Sequence, residues 1–437
     1  MLNDEQKKVV ESIDPFIFLL AGAGSGKTRV IVERIKRLIE MGTESHKILA
    51  ITFTKKASHE MRERLNQAQV SIHTFHQLAY IILKEKLKKN FSLVDEKVLI
   101  HYTDEELLRI ARYKNSMLKS KKPRVYDRYQ KELKSQELYD FDDLLLELRK
   151  ALNLEPHLVS YDYIFVDEFQ DTNLLQYDLL KKMTSKKTSV FAVGDPDQSI
   201  YQFRGATKEI ISQYIKEFNA KVYELKLNYR SAQNIIHVAN RLIRHNQRKF
   251  KKELLPTKKH LGVVESYRFN TDQSEADFIV RLIKTLHDQG VPLHEIAILY
   301  RNHYRVYQVM LTLHDMQIPF FLSDDNDDVK YKVQLMTIHQ AKGLEFDHVI
   351  IIGCENELIP SRRINLISYV EEERRLLFVG ITRARYILYL THIIHDSENH
   401  HFTSSVFIPE SGLKSIKEMH ISDIISLGDY DGYKKAH

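Results

Sequence analysis

The stretch that most constrains this chain is Phe16-Ile-Phe-Leu-Leu20, which runs without a break into Ala21-Gly22-Ala23-Gly24-Ser25-Gly26-Lys27-Thr28. A short, continuous apolar run reads as a buried strand. The residues after the glycines, with Val30/Ile31, Arg34/Ile35 and Leu38/Ile39 before Gly42, carry helical spacing. A strand, a glycine loop and a helix in that order let main-chain N–H groups close round phosphate oxygens, and the helix N-terminus adds favourable potential. In such a loop Lys27 reaches the β- and γ-phosphates and Thr28 ligates Mg²⁺. The strict pattern has glycine where Ala21 stands, a tolerated variation.

Phosphate chemistry of this kind needs a second source of carboxylate. Tyr163-Ile-Phe-Val166 is another apolar run, and it ends in Asp167-Glu168-Phe-Gln170-Asp171. Asp167 is expected to hold Mg²⁺ through water and Glu168 to polarise the attacking water. In isolation, adjacent acids at a strand end are often only a helix cap; the glycine loop upstream favours the catalytic reading.

Apolar runs alternate with helical patterns through most of the chain, which predicts parallel α/β sheets. The runs are Phe16–Leu20, Ile48–Thr52, Tyr163–Val166 and Ser189–Val193, then Ile296–Leu299, Gln334–Thr337, Val349–Ile352 and Ile387–Leu390. At 437 residues the chain is too long for one ordinary core. A basic, loop-like stretch near Lys249–His260 separates the two sets. The single cysteine, Cys354, excludes a disulfide framework and fits a reducing cytoplasm. The first residues, MLNDEQKKVV, lack the apolar core of a signal peptide, and no apolar run approaches the length of a bilayer span.

Residues 77–139 differ from their surroundings. They hold fifteen Lys/Arg against nine Asp/Glu, an excess equal to the whole formal charge of +6, with one proline and no glycine. Helical spacing such as Leu107, Leu108 and Ala111 predicts a small helical insertion. Its basic face could attract a phosphate backbone by counterion release or be a plain solvated surface. Ser323–Lys330 reads as a surface loop, and residues 414–437 as a tail without a motif.

Further motifs, taken in order, resemble the superfamily 1 helicases of the UvrD/PcrA/Rep type. Leu2-Asn3-Asp4-Glu5-Gln6 looks like the adenine-reading Q motif of that family. Ile51-Thr-Phe-Thr-Lys-Lys-Ala-Ser-His-Glu-Met-Arg62 is similar to motif Ia, and His73-Thr-Phe-His76 to the next DNA-facing motif. Asp140-Phe-Asp-Asp-Leu144 resembles the short acidic motif where the chain re-enters the first motor domain. Gly194-Asp-Pro-Asp-Gln198-Ser-Ile-Tyr201-Gln-Phe203-Arg204-Gly-Ala206 is similar to motif III and Leu227-Asn-Tyr229-Arg230-Ser231 to motif IV. Met336 to Phe346 resembles motif V, and Glu372 to Ala384 motif VI.

The resemblance implies two RecA-like P-loop domains with parallel sheets. The first would be 1–76 with 140–228, interrupted by 77–139 as a reduced helical insertion, and the second 229–413. It implies ATP and Mg²⁺ as cofactors, with Gln6, Arg29 and Tyr229 at the adenine, residues Ala21 to Thr28 at the phosphates and Glu345 at the ribose. Gln198 would sense the γ-phosphate, and Arg230 and Arg383, from the second half, would stabilise its charge when the halves close. Single-stranded DNA and its junctions with duplex would lie against Phe53, Thr54, His73, Tyr201, Phe203 and Arg204. A single-strand motor needs such flat faces, worth about 1–3 kcal/mol per base.

Three departures matter. Most relatives carry tryptophan where Phe203 stands, and this chain has no tryptophan at all. Their second large insertion should lie between Ile318-Pro319-Phe320 and motif V, where about a dozen residues remain, and Thr391–Thr403 is histidine-rich where relatives place a strand-separating hairpin. The expectation is therefore a compact, monomeric ATP-driven translocase on single-stranded DNA, moving 3′ to 5′ as the resemblance implies, with a protein partner replacing the missing insertion for unwinding. An ATP-switched DNA-binding subunit of a larger assembly is the alternative. A P-loop kinase leaves motifs V and VI without a purpose.

Overall fold

In the computed structural model, residues 2–66, 69–207, 209–322, 329–361 and 367–417 are described. The side chain of Arg204, most of the Ser323–Lys330 loop and the end of the tail, 418–437, lie outside the described residues. The chain forms two compact units: one reaches Leu225 and the other begins at Lys226, with the loop tip Ala23–Ser25 grouped with the second. The division expected from the motifs lay after residue 228.

The first unit is built on six strands, β1 (Phe16–Ala21), β2 (Ile48–Ile51), β3 (Ser71–His73), β4 (Tyr163–Val166), β5 (Ser189–Gly194) and β6 (Lys221–Leu225). They lie in the order β3-β2-β4-β5-β1-β6, all parallel. A parallel sheet is covered on both faces, so its inner strands are continuous apolar runs rather than alternating ones. That is how β1, β2, β4 and β5 read, and their residues are almost wholly buried. Strand β6 at the edge leaves Lys221 and Val222 exposed. The core on one face joins Ile17, Leu19, Ala50, Phe165 and Phe191 to Val30, Ile31 and Ile35 of the helix Lys27–Glu40.

The order has a functional consequence. β1 and β4 are neighbours of β5, so the glycine loop after β1 and the acids after β4 emerge at the same, carboxyl-terminal edge of the sheet. Ligands of open α/β sheets bind at that edge.

The insertion contains the helices Asp104–Asn115 and Tyr126–Ser135, with a core of Val98, Tyr102, Ile110, Tyr129 and Leu133. It is not purely helical, as expected from composition: Ser92–Leu93 pairs with Leu138–Tyr139 in a small parallel ribbon that closes its base. Nor are all its lysines on the surface. Lys114 is fully buried, with its ammonium 2.7 Å from Asp140 and 2.7 Å from Asp143. It cannot serve as a phosphate contact, because removing it from two buried carboxylates would leave uncompensated charge. Lys114 holds Asp140 below the ordinary carboxylate range against the effect of burial, whereas burial and the Asp140 charge push Asp143 up to about 6.

The second unit is built on a sheet of seven strands: β7 (Val263–Thr271), β8 (Ile296–Tyr300), β9 (Phe320–Leu322), β10 (Val333–Thr337), β11 (Phe346–Ile351), β12 (Ala384–His395) and β13 (Ser415–Lys417). Their order is β9-β10-β8-β11-β12-β7-β13, again all parallel. Its core packs Ile298, Leu335, Ile350 and Tyr389 against Phe278, Ile279 and Ile283 of the helix Asp272–Asp288. Only residues 323–332 separate β9 from its neighbour β10, which pair directly as Phe320 with Val333. Among the described residues no helix is long and apolar enough to cross a membrane.

Candidate functional site

The glycine loop leads into the helix Lys27–Glu40 through Gly26 at φ +81°, a conformation that side chains resist. No side chain caps this helix, whereas Asn3, Thr54, Thr74, Asp140 and Asn173 each cap the helix that follows them in the same unit. Gln6 lies beside the loop: a Cβ on Gly26 would come 2.9 Å from its Nε2. The capping box at the start of the first helix orients Gln6, whose Oε1 accepts from Asn3 N at 3.1 Å. Arg34 secures that helix, donating to the carbonyls of Val9 and Val10 at 2.7 and 3.1 Å. Arg29 is exposed.

Lys27 Nζ meets Glu168 Oε1 at 2.9 Å. Burial alone would drive this ammonium down, yet the charges of Glu168, Asp167 and Asp195 together raise it above the ordinary lysine range. Three carboxylates therefore converge on the lysine. Asp167 is turned by its own chain, with Oδ1 accepting from Glu168 N at 2.9 Å, and Glu168 sits in the left-handed region at φ +50°.

Gln170 carries the arrangement further, and sequence reasoning gave it no role. Its Nε2 donates to Glu168 Oε2, and its Oε1 accepts from Asp195 N at 2.9 Å. Asp195 in turn receives Gln198 Nε2 at 2.5 Å. Gly194 makes this possible, because a Cβ there would lie 2.8 Å from Gln170 Oε1. Lys27, Glu168, Gln170, Asp195 and Gln198 thus form one hydrogen-bonded line. The signal was present in the glycine that ends β5, although nothing in the sequence named the partner it made room for.

The aromatic faces expected at DNA come together in the same unit. Phe53 and Tyr201 stack with ring centroids 4.8 Å apart, and Phe203 lies 5.9 Å from Tyr201. His73 ends β3 nearby, and burial holds its imidazole below the ordinary range. Thr54 is already engaged, its hydroxyl accepting from Ala57 N at 3.1 Å as a helix cap. A groove of about 1280 Å³ is lined by Asp167 and Glu168, by Phe53, His73, Tyr201 and Phe203, and by Leu107, Leu108 and Ala111 of the insertion.

In the second unit Arg230 donates through Nε to Glu345 Oε2 at 2.6 Å and through Nη1 to Thr382 O at 3.1 Å. Arg385 holds the other oxygen of Glu345 at 3.0 Å and is itself anchored on Asp347 and Glu295 at 2.9 and 3.1 Å. Burial works against the Glu345 charge, but Arg230 and Arg385 outweigh it and hold the carboxyl below the ordinary range. Arg383 donates to the carbonyls of Val379 and Leu344 at 2.9 and 3.1 Å. Tyr229 is 43% exposed, so it is no core residue.

A glycine loop, its lysine and a strand-end acid pair at one edge of a parallel sheet define a P-loop nucleoside-triphosphatase. Comparison with known proteins narrows the class. Residues 6–204 match the AAA domain family, and residues 223–327 and 322–394 match the UvrD-like helicase C-terminal domain. A probable DNA helicase of Mycoplasma pneumoniae is 31% identical over 96% of this chain and 88% of its own. The ATP-dependent DNA helicases PcrA of Leuconostoc citreum and Staphylococcus aureus (strain Mu50 / ATCC 700699) are 32% and 33% identical over 73% and 69% of this chain. This chain spans about half of those two proteins, 49% and 48%. The chain belongs to the UvrD/PcrA-type superfamily 1 DNA helicases, an ATP-hydrolysing family.

The donors present suit a hard divalent cation. Mg²⁺ favours oxygen ligands and usually binds through one or two carboxylates plus substrate phosphates. The Thr28 hydroxyl and the Asp167 carboxylate are donors of that kind, and the carboxylates gathered round Lys27 already form an anionic cluster. Among the described residues no group of three or more His, Cys, Asp or Glu could cage a metal unaided.

Proposed function

We propose that this chain is an ATP-driven translocase on single-stranded DNA, moving 3′ to 5′, whose hydrolysis uses Mg²⁺ held by Thr28 and Asp167. The observation that carries the reading is the groove itself, which runs from Asp167 and Glu168 to the stacked faces of Phe53 and Tyr201. Nucleotide chemistry and a base-binding surface share one wall.

Lys27 and Glu168 neutralise each other in the pair at 2.9 Å. A triphosphate arriving at the loop draws Lys27 away, and a carboxylate relieved of its cation becomes a better proton acceptor. Glu168 then orients the attacking water, held by Gln170 on its other oxygen. The cation's part is to neutralise charge on the phosphates. Arg230 and Arg383 would complete the site on closure of the two halves, and Gln198 would report the γ-phosphate to Tyr201 and Phe203, three and five residues on. Gln6, Arg29 and Tyr229 read the adenine. Glu345, tied to Arg230 and Arg385, must share itself with a ribose.

Grip on DNA comes from stacking at Phe53, Tyr201 and Phe203, with Arg204 and His73 beside them. Efficient unwinding depends on a partner protein that supplies what the short 323–332 connection omits; the chain otherwise acts as a cytoplasmic monomer. Hydrolysis measured with and without single-stranded DNA, beside strand displacement on 3′- and 5′-tailed duplexes, tests this. DNA should stimulate turnover strongly, and Glu168→Gln should keep ATP binding while losing turnover by about 10²–10⁴-fold. Negligible turnover with saturating DNA sinks the motor and leaves an ATP-switched binding subunit.

A further inference from the structure

The loop that bears Tyr201 and Phe203 is held from outside its own domain. Arg112, on the last turn of the insertion helix Asp104–Asn115, donates from Nε to Phe203 O at 2.7 Å. One turn on, Asn115 accepts through Oδ1 from Asn173 Nδ2 at 2.9 Å, with both residues buried. Asn173 pairs with Ala206 in an isolated antiparallel bridge. Gly205, at φ +92°, lies between them, so that a Cβ there would sit 3.5 Å from Asn115 Cβ. The residue between Arg112 and Asn115 that matters for anchorage is Lys114, locked to Asp140 and Asp143 where the chain re-enters the sheet domain. One helix turn is therefore fixed at its root by a buried ion pair and holds the loop 203–206 twice, directly at Phe203 and, through Asn173, at Ala206.

We propose that this turn is a positioning element for the base-stacking loop: Arg112 and Asn115 hold Tyr201 and Phe203 in the groove and do not themselves bind DNA. The proposal rests on the reading of those two rings as stacking faces. An exposed arginine beside a DNA groove has a competing use, as a phosphate ligand. The geometry favours positioning, because the guanidinium is already committed at 2.7 Å to the main chain of a stacking residue. It also gives the insertion a task that does not depend on its net charge.

The absence of tryptophan from the chain supplies the probe. In a Phe203→Trp background the introduced indole reports on the loop alone. Arg112→Gln in that background should weaken binding of a single-stranded oligonucleotide about three- to tenfold, part of one stacking interaction. The dependence of affinity on salt should keep its slope, and the indole should depolarise faster in the DNA-free protein at an unchanged melting temperature. Asn115→Ala should move affinity and indole mobility in the same direction. A salt slope lower by about one charge with an unmoved indole makes Arg112 a phosphate ligand and overturns the proposal. So does an unmoved indole in both variants. Failure of the underlying reading looks different: Tyr201→Ala then leaves DNA affinity intact, and the proposal falls for want of a stack to position.

Discussion

Each unit has a strand of a parallel sheet that is followed by a long helix, and the two junctions are opposites. In the first unit β1 enters the helix Lys27–Glu40 through Gly26, with no side chain on the helix end. In the second unit β7 enters the helix Asp272–Asp288 through Thr271, whose hydroxyl accepts from Ser274 N at 3.1 Å while Ser274 Oγ receives Thr271 N at 3.2 Å. The first-turn N–H groups of a helix need acceptors from somewhere. The second unit supplies them from its own sequence and closes the helix end. The first withholds them, and an anion can take their place. Two sheets of similar build thus differ at the helix end, open to an anion in the first unit and closed in the second.

That contrast can be broken at three points. Arg230→Ala should leave ATP binding nearly intact and lower DNA-stimulated turnover by about 10³–10⁵-fold, the usual worth of a supplied arginine. Steady-state hydrolysis at saturating ATP checks this, and an unchanged rate removes the second unit from the chemistry. Gly26→Ala adds a Cβ at φ +81° and 2.9 Å from Gln6 Nε2, so ATP should bind about tenfold more weakly or worse. Equilibrium binding of a fluorescent ATP analogue measures it; wild-type affinity would mean the open helix end is not the anion site. Thr271→Ala should do the reverse, costing about 1 kcal/mol of stability as a lost cap while leaving nucleotide affinity alone. Denaturant melts beside the same titration separate the two effects.

Much of the fold could be read in advance because buried parallel strands are written as plain apolar runs. All eight runs singled out in the sequence mark strands, in two sheets of the expected kind, with Thr52 and Ile352 falling one residue past the strand ends. The strands passed over are short or diluted in pattern: β3, β9 and β13 are three residues long, β6 is an edge strand with exposed Lys221 and Val222, and β7 interleaves Glu265, Ser266 and Arg268 with its apolar residues. The burial of Lys114 was hidden for a different reason. Its partners, Asp140 and Asp143, lie 26 and 29 residues away, and no local pattern distinguishes a buried cation from a solvated one. Gln170 is similar, since its importance comes from touching Glu168 and the Asp195 main chain at once. Motifs reveal which residues carry chemistry, but the bonds that aim them are made across the fold.

The backbone of Glu168 has a consequence for anyone who alters this protein. A non-glycine residue at φ +50° stores strain of about 1 kcal/mol, which the surrounding bonds must hold in place. Glycine or asparagine would sit there more comfortably. A search for thermostable variants by melting alone would therefore be drawn towards this position, rewarding the replacement that silences the proposed base. Stability and turnover are set against each other at one residue, and only a screen that reads both would leave Glu168 in place.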